Sequence, residues 1–295
     1  MAGHVRILVA YDGSDCARAA IKSIPLFSKL IEVELMVLWV VEPPSWLYSE
    51  SLSAELNVNI RNTFVGKAKE SLAALEDDLR GLVGLSYERI TFGNPAERIV
   101  FEAKLWEADL LIMGRQGVGA FGYLHSGSTV KSVVDNAPCP VMVISKPLKA
   151  PLNILMAAFD TDFSAPLLDT IRCLGLLKEG RMRFEISTES LLSLEAIPLE
   201  FQEELSSFIT EWSERRLEVG LSLLKGLFQD GNIEGRSYSG SGSFLQQICI
   251  VAESWQADMV LLSGVISKST SDYRIGGLCH GLLQATNINV LIIPN

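Results

Sequence analysis

The chain of 295 residues is long for one hydrophobic core and comfortable for two, and its 48% apolar content is enough to fill both. Its 25 basic and 35 acidic residues leave a formal charge of −10, which would repel a nucleic-acid backbone over most of the surface and excludes DNA and RNA as expected partners. The longest apolar stretches, such as Leu35 to Val41, fall well short of the ~20 residues of a spanning helix, and no signal-peptide pattern opens the chain, so a soluble cytoplasmic protein without a membrane partner is expected. Five scattered cysteines, odd in number and without a CxxC pair, read as reduced thiols rather than a disulfide framework or zinc site.

In chain order, Val5 to Ala10 reads as a strand and ends on Tyr11-Asp12. A helical pattern from Asp15 to Leu30 follows, in which Pro25 should kink or shorten the helix. A second strand covers Val33 to Val40, with Trp39 near its end and Trp46 in a Pro-Pro-Ser-Trp loop that could cover a pocket. Helical periodicity from Ala54 to Arg80, a strand over Leu85 to Thr91 and a helix over Ala96 to Glu107 come next. The apolar run Asp109 to Met113 is the fourth strand, and a helix over Thr129 to Asn136 leads to a fifth at Val141 to Ser145.

Between the fourth strand and its helix, Gly114, Gly117, Gly127 and Ser128 stand in the register G-x2-G-x9-G-[ST]. Glycine lets backbone approach an anion closely, and a following helix offers unpaired N–H groups, so this placement suggests a phosphate cradle. Because the chain is acidic overall, such a site must be favourable locally, and Arg115 and Lys131 are the nearby cations. Gly117 to Gly122 also spells G-x-G-x-x-G, but in the fourth strand's loop, with no acidic residue about 20 positions on as a dinucleotide site requires. No P-loop pattern exists. His125 could approach a terminal phosphate, but no second acid or base is spaced to orient it, and the three histidines form no metal-ligand cluster. No catalytic and no metal-ligating residue is assigned.

The pattern then repeats with an offset near 149 residues. Gly93 to Asp109 aligns with Gly242 to Asp258 without a gap and with six identities, at Gly93, Ile99, Ala103, Trp106, Ala108 and Asp109. The second copy includes a long amphipathic stretch from Leu199 to Phe228. Prolines between Lys146 and Pro151 punctuate the boundary, giving two domains, residues 1–147 and 151–295. Alternating strands and helices require a mostly parallel sheet covered on both faces, with ligands beyond the strand C-termini where the order reverses. If the first and fourth strands are neighbours, Asp12 and the glycine loop meet there. Asp12 lacks the acidic partner of a phospho-acceptor, so ribose contact or helix capping fits it better.

These residues together resemble the universal stress protein family over essentially the whole chain. The resemblance rests on Ile7-Leu8-Val9-Ala10-Tyr11-Asp12-Gly13-Ser14, Gly93-Asn94-Pro95, Ala108 to Gly114, Gly127-Ser128-Thr129-Val130 and Cys139-Pro140-Val141. It implies an α/β fold of two tandem, doubly wound, five-stranded parallel-sheet domains of order 3-2-1-4-5. It also implies ATP, with its Mg²⁺, across the ends of the first and fourth strands of the first domain. Asp12 would then accept from the ribose hydroxyls and Val40 would read the adenine edge. Met113 would line the floor, and Gly114, Gly117, Gly127, Ser128 and Thr129 would hold the phosphates. In the second copy Gly114, Gly117, Ser128 and Thr129 become Ser263, Ile266, Gly277 and Leu278, so one nucleotide site per chain is expected, although Gly127 and Asp12 have counterparts in Gly276 and Asp160. Family dimers pair through the last strand, which implies a pseudo-two-fold internal dimer through Val141 to Ile144 and Val290 to Ile293, with further homo-oligomers open. The function implied is regulatory or sensing. Slow ATP hydrolysis and a nucleotide-free interaction scaffold stand as alternatives.

Overall fold

The computed structural model describes residues 4–44, 47, 53–75, 79, 85–118, 124–125, 128–158, 163–178, 180–187, 198–228, 232–238, 243–263 and 275–294. The chain divides into two compact units, Met1–Leu148 and Lys149–Asn295.

In the first unit, β1 (Val5–Ala10), β2 (Val33–Val41), β3 (Leu85–Phe92), β4 (Leu110–Gly114) and β7 (Val141–Ile144) form a parallel sheet of order β3-β2-β1-β4-β7. Leu110 to Met113 and Val141 to Ile144 are buried at every position, the mark of strands covered on both faces. The helices are α1 (Asp15–Ile21), α2 (Ile24–Leu30), α3 (Ala54–Ala73), α4 (Pro95–Leu105) and α5 (Ser128–Asn136). The helix expected over Asp15 to Leu30 is two. Pro25 lies in the first turn of α2, where its missing N–H costs nothing, and the chain breaks at Lys22-Ser23. Ser23, fully buried, donates to the Ala19 carbonyl and accepts from the Leu148 N–H at 2.9 Å, fastening the end of the unit to this break. The helix expected to reach Arg80 ends at Ala73. A short antiparallel pair, β5 (Gly117–Val118) and β6 (Leu124–His125), rises from the loop after β4.

The second unit repeats this order. Strands β8 (Leu152–Ala158), β9 (Gly180–Ser187), β10 (Asn232–Tyr238), β11 (Met259–Ser263) and β12 (Asn289–Ile293) pair in parallel as β10-β9-β8-β11-β12. Helices α6 (Ala165–Cys173), α7 (Leu199–Leu227), α8 (Phe244–Ser254) and α9 (Ile275–Ala285) connect them.

The residues shared by the two copies are chiefly architectural. Trp106 ends α4, Glu107 takes φ 52°, and the Ala108 N–H donates back to the Ala103 carbonyl at 2.9 Å. Trp255, Gln256 at φ 54° and the 2.8 Å bond from Ala257 to Ala252 repeat the same helix stop after α8. Asp109 then exchanges two bonds with Arg6, accepting its N–H at 2.8 Å and donating to its carbonyl at 2.9 Å. Asp258 does the same to Asn153, at 2.9 Å both ways. Each aspartate thereby staples the start of a unit's fourth strand to the start of its first. Trp106 and Trp255 are half-buried at the helix ends, against Tyr87 and Arg181 respectively.

All five cysteines are free thiols. Burial pushes the Cys139 thiol up to about 12, so almost none is thiolate near neutral pH, whereas Cys173 is exposed. Iodoacetamide at pH 8 is therefore expected to alkylate Cys173 in the native protein and leave Cys139 unmodified until denaturant is added. Peptide mass mapping of both states would read this directly, and native-state labelling of Cys139 would contradict its placement.

Candidate functional site

From β1 the chain goes on to β2 on one side and from β4 to β7 on the other, so the sheet of the first unit reverses its winding between these two neighbours. A cavity of about 320 Å³ opens there, a size at the lower end of small-molecule sites. Its floor is the strand ends: Ala10 and Tyr11 of the β1 exit, Leu38 to Val41 of β2, and Met113 and Gly114 of β4. Asp12 and Ser14 form one rim, and Arg115, Gln116 and Gly117 another. The first residues of α5, Ser128 to Val130, and the Asn94-Pro95 start of α4 also face it. Two helix N-termini thus direct partial positive charge towards one cavity.

Asp12 is fixed by the turn it starts, its Oδ1 accepting the Ser14 N–H at 3.0 Å, while Ser14 Oγ caps α1 through the Ala17 N–H at 3.1 Å. Capping and cavity lining therefore coexist in this loop. Gly117 lies against the other carboxylate oxygen: a Cβ there would stand 2.5 Å from Asp12 Oδ2. The absence of a side chain at Gly117 is what lets the loop after β4 close on Asp12.

Gly114 has a different reason. A Cβ there would meet Ala17 N at 2.8 Å and Cys16 C at 2.9 Å, so this glycine admits the α1 backbone against β4. Expected as a phosphate ligand, it lines the cavity and also holds a helix-packing contact. The Arg115 N–H is bonded to the Ile144 carbonyl at 2.8 Å and is spent on the sheet.

At the other end, the alternation of β2 exposes Val40. The Leu38 carbonyl accepts from Tyr11 of the β1 exit at 2.9 Å, and the Val41 carbonyl from Gly93 on the β3 side at 3.0 Å. Alternation then turns both backbone groups of Val40 to the β1 side, beyond Ala10, the last β1 residue paired with β2. A donor and an acceptor side by side on an open strand edge suit the edge of a nucleobase. Trp39, edge-on to Tyr11 with centroids 5.7 Å apart, gives this end an aromatic wall.

Of the site residues expected from sequence, Asp12, Val40, Met113, Gly114, Gly117, Ser128 and Thr129 all border this one cavity. Gly127 lies outside the described residues, as do Trp46, the side chain of His125, and Asp160 and Ile266 of the second copy. Lys131 is exposed on α5 and is not part of the lining, to which that helix contributes its first residues, Ser128, Thr129 and Val130. Arg115 is in the lining, and burial draws its guanidinium below the ordinary arginine value. Phe64 and Lys67 of α3 complete the wall, and neither was expected. Helix α3 buries only Ala68 and Leu72 and exposes Leu56 and Val58, so its apolar pattern carries no sign of a face turned to a cavity. In the second unit Ser263 pairs with Ile293 as Gly114 pairs with Ile144, confirming the correspondence of those two positions.

Among the described residues no group of three or more His, Cys, Asp and Glu could hold a metal ion, and no helix is long and apolar enough to cross a membrane.

The sequence profile of the universal stress protein family matches residues 4–145. A universal stress protein of Thermus aquaticus is 33% identical over 145 residues, covering 47% of this chain and 96% of that protein. A second, from Methanocaldococcus jannaschii, is 28% identical over 145 residues, covering 49% and 84%. The crystal structure of a universal stress protein from Archaeoglobus fulgidus superposes with a TM-score of 0.64 at 15% identity, covering 98% of this chain and 96% of that one, which shows a shared fold. The chain belongs to the universal stress protein family.

Proposed function

We propose that the first unit binds ATP at the β1/β4 cavity and that occupancy regulates the protein, in the manner of a cytoplasmic sensor. The observation that carries this reading is the convergence, on one cavity, of a carboxylate, an open strand edge and a helix N-terminus in the order that base, ribose and phosphates need. Val40 offers a donor and an acceptor to the adenine edge, and Asp12 accepts from the ribose hydroxyls. Gly117, Ser128 and Thr129 receive the phosphates at the start of α5, and Gly127 is proposed as a further ligand from its place in the sequence motif alone. Mg²⁺ would enter with the nucleotide and neutralise part of its charge. Regulation requires ATP to favour one conformation or partner-binding state over another, because equal affinity for both shifts nothing. The second unit, with Ser263 where the first has Gly114, is proposed to lack an equivalent site.

Isothermal titration of nucleotide-stripped protein with Mg-ATP tests this. One site per chain is expected, together with a rise in thermal stability that scales with ligand concentration. Two equal sites would refute the assignment of the second unit, and no binding would return the chain to a nucleotide-free scaffold.

A further inference from the structure

We propose that Lys67 on α3 is a phosphate-binding residue of the β1/β4 cavity and sets its preference for phosphorylated over unphosphorylated adenine nucleosides. The inference rests on the nucleotide reading above and adds a ligand from an element outside the glycine motif. Lys67 borders the same cavity as Asp12, Ser14 and Gly117. Ser71, one helical turn further along the same face of α3, fixes where that face runs. Its Oγ stands 3.5 Å from the Cβ position of Gly13, inside the Asp12-Gly13-Ser14 turn. Side chains on a helix lean towards its N-terminus, so the α3 face that meets this turn presents Lys67 over the rim that Asp12 begins.

The charge balance explains why a lysine belongs there. The lining holds two carboxylates, Asp12 and Glu42, and two cations, Arg115 and Lys67. Lys67 makes no hydrogen bond or ion pair among the described residues, although the chain carries ten more negative than positive charges and two carboxylates share its cavity. An uncommitted ammonium, with three donors on a flexible stem, can follow a phosphate chain as it enters. It borders the same cavity as the start of α5, so phosphates held there would share the cavity with a helix N-terminus and a cation on a flexible stem.

The test compares adenosine, AMP, ADP and ATP binding by titration calorimetry, in the wild-type chain and in Lys67→Gln and Lys67→Arg. Lys67→Gln is expected to weaken ATP and ADP by about ten-fold, as loss of a charge-assisted hydrogen bond does, while leaving adenosine unchanged. Lys67→Arg should restore most of the loss, and the salt dependence of ATP binding should be shallower in Lys67→Gln. Equal weakening of adenosine and ATP would make Lys67 a structural residue and overturn the proposal, as would unchanged ATP affinity. Wild-type protein that binds none of the four would refute the nucleotide reading itself, and this inference with it.

Discussion

Gly114→Ala is expected to destabilise the first unit by about 1–3 kcal/mol, a large effect for a single methyl group, because the methyl meets backbone rather than a side chain that can turn away. Its nearest neighbours would be Ala17 N at 2.8 Å and the carbonyl carbon and Cβ of Cys16, each at 2.9 Å. Helix α1 cannot simply withdraw. Ala17, Ala20 and Ile21 are buried to within 1% exposure, and the Ala17 N–H that the methyl would crowd is the one Ser14 caps. Relief must come from moving α1 off β4 or bending β4, and either separates layers that are close-packed. Urea unfolding of the full chain, monitored so that the two units' transitions can be separated, should show the first unit's midpoint falling. Gly66→Ala in α3 is the control. Beyond its own stretch of helix nothing lies within 4 Å of its Cβ position, so alanine there is expected to raise stability by about 0.5–1 kcal/mol through helix propensity. Equal stability of Gly114→Ala and wild type would mean that the close approach of α1 is not what this glycine serves.

Three residues further on, the same substitution should act on binding instead. At Gly117 the crowded atom is Asp12 Oδ2, the far end of a side chain rather than backbone, so Gly117→Ala should cost the fold less than Gly114→Ala does. The displaced carboxylate is the proposed ribose acceptor, and Mg-ATP affinity should fall with it. Asp12→Ala removes that acceptor outright. A hydrogen bond to a charged group contributes about 1.5–3 kcal/mol, so the loss is expected to be roughly ten- to a hundred-fold in Kd. Asp12→Ala also frees the Ser14 N–H, so its stability has to be measured beside its affinity. Titration calorimetry on both variants decides the matter. Unchanged ATP affinity in both would remove Asp12 from the site, whereas a loss confined to Asp12→Ala would leave Asp12 in place and remove Gly117 from the loop that positions it.

The two glycines show why conservation between the copies is a poor guide to function here. The identities at Ala103, Trp106, Ala108 and Asp109 recur because every such unit must stop a helix with a reversed residue and staple its fourth strand to its first. The cavity residues answer to different demands. Ser263 stands in the second unit at the strand position of Gly114, so the shared frame tolerates a side chain there when the rest of the unit accommodates it.

The sequence by itself determined the order of strands and helices, the division into two copies, the parallel α/β class and most of the cavity's floor and rims. These follow from signals held within one element: burial on both faces writes itself as an unbroken apolar run at Leu110 to Met113, and glycines and a Ser-Thr pair mark a loop that opens a helix. Only the tertiary structure decided which atoms meet across elements. It split the first helix at Ser23, turned both backbone groups of Val40 towards the cavity, and gave Gly114 to the packing of α1. It also left Lys131 on an outer face and brought in Lys67 from a helix whose pattern announced nothing. Periodicity records how deeply a residue is buried and on which side. It carries no record of register between strands or of the azimuth at which a helix crosses them, and those two quantities place a carboxylate, a backbone edge and a lysine around one cavity.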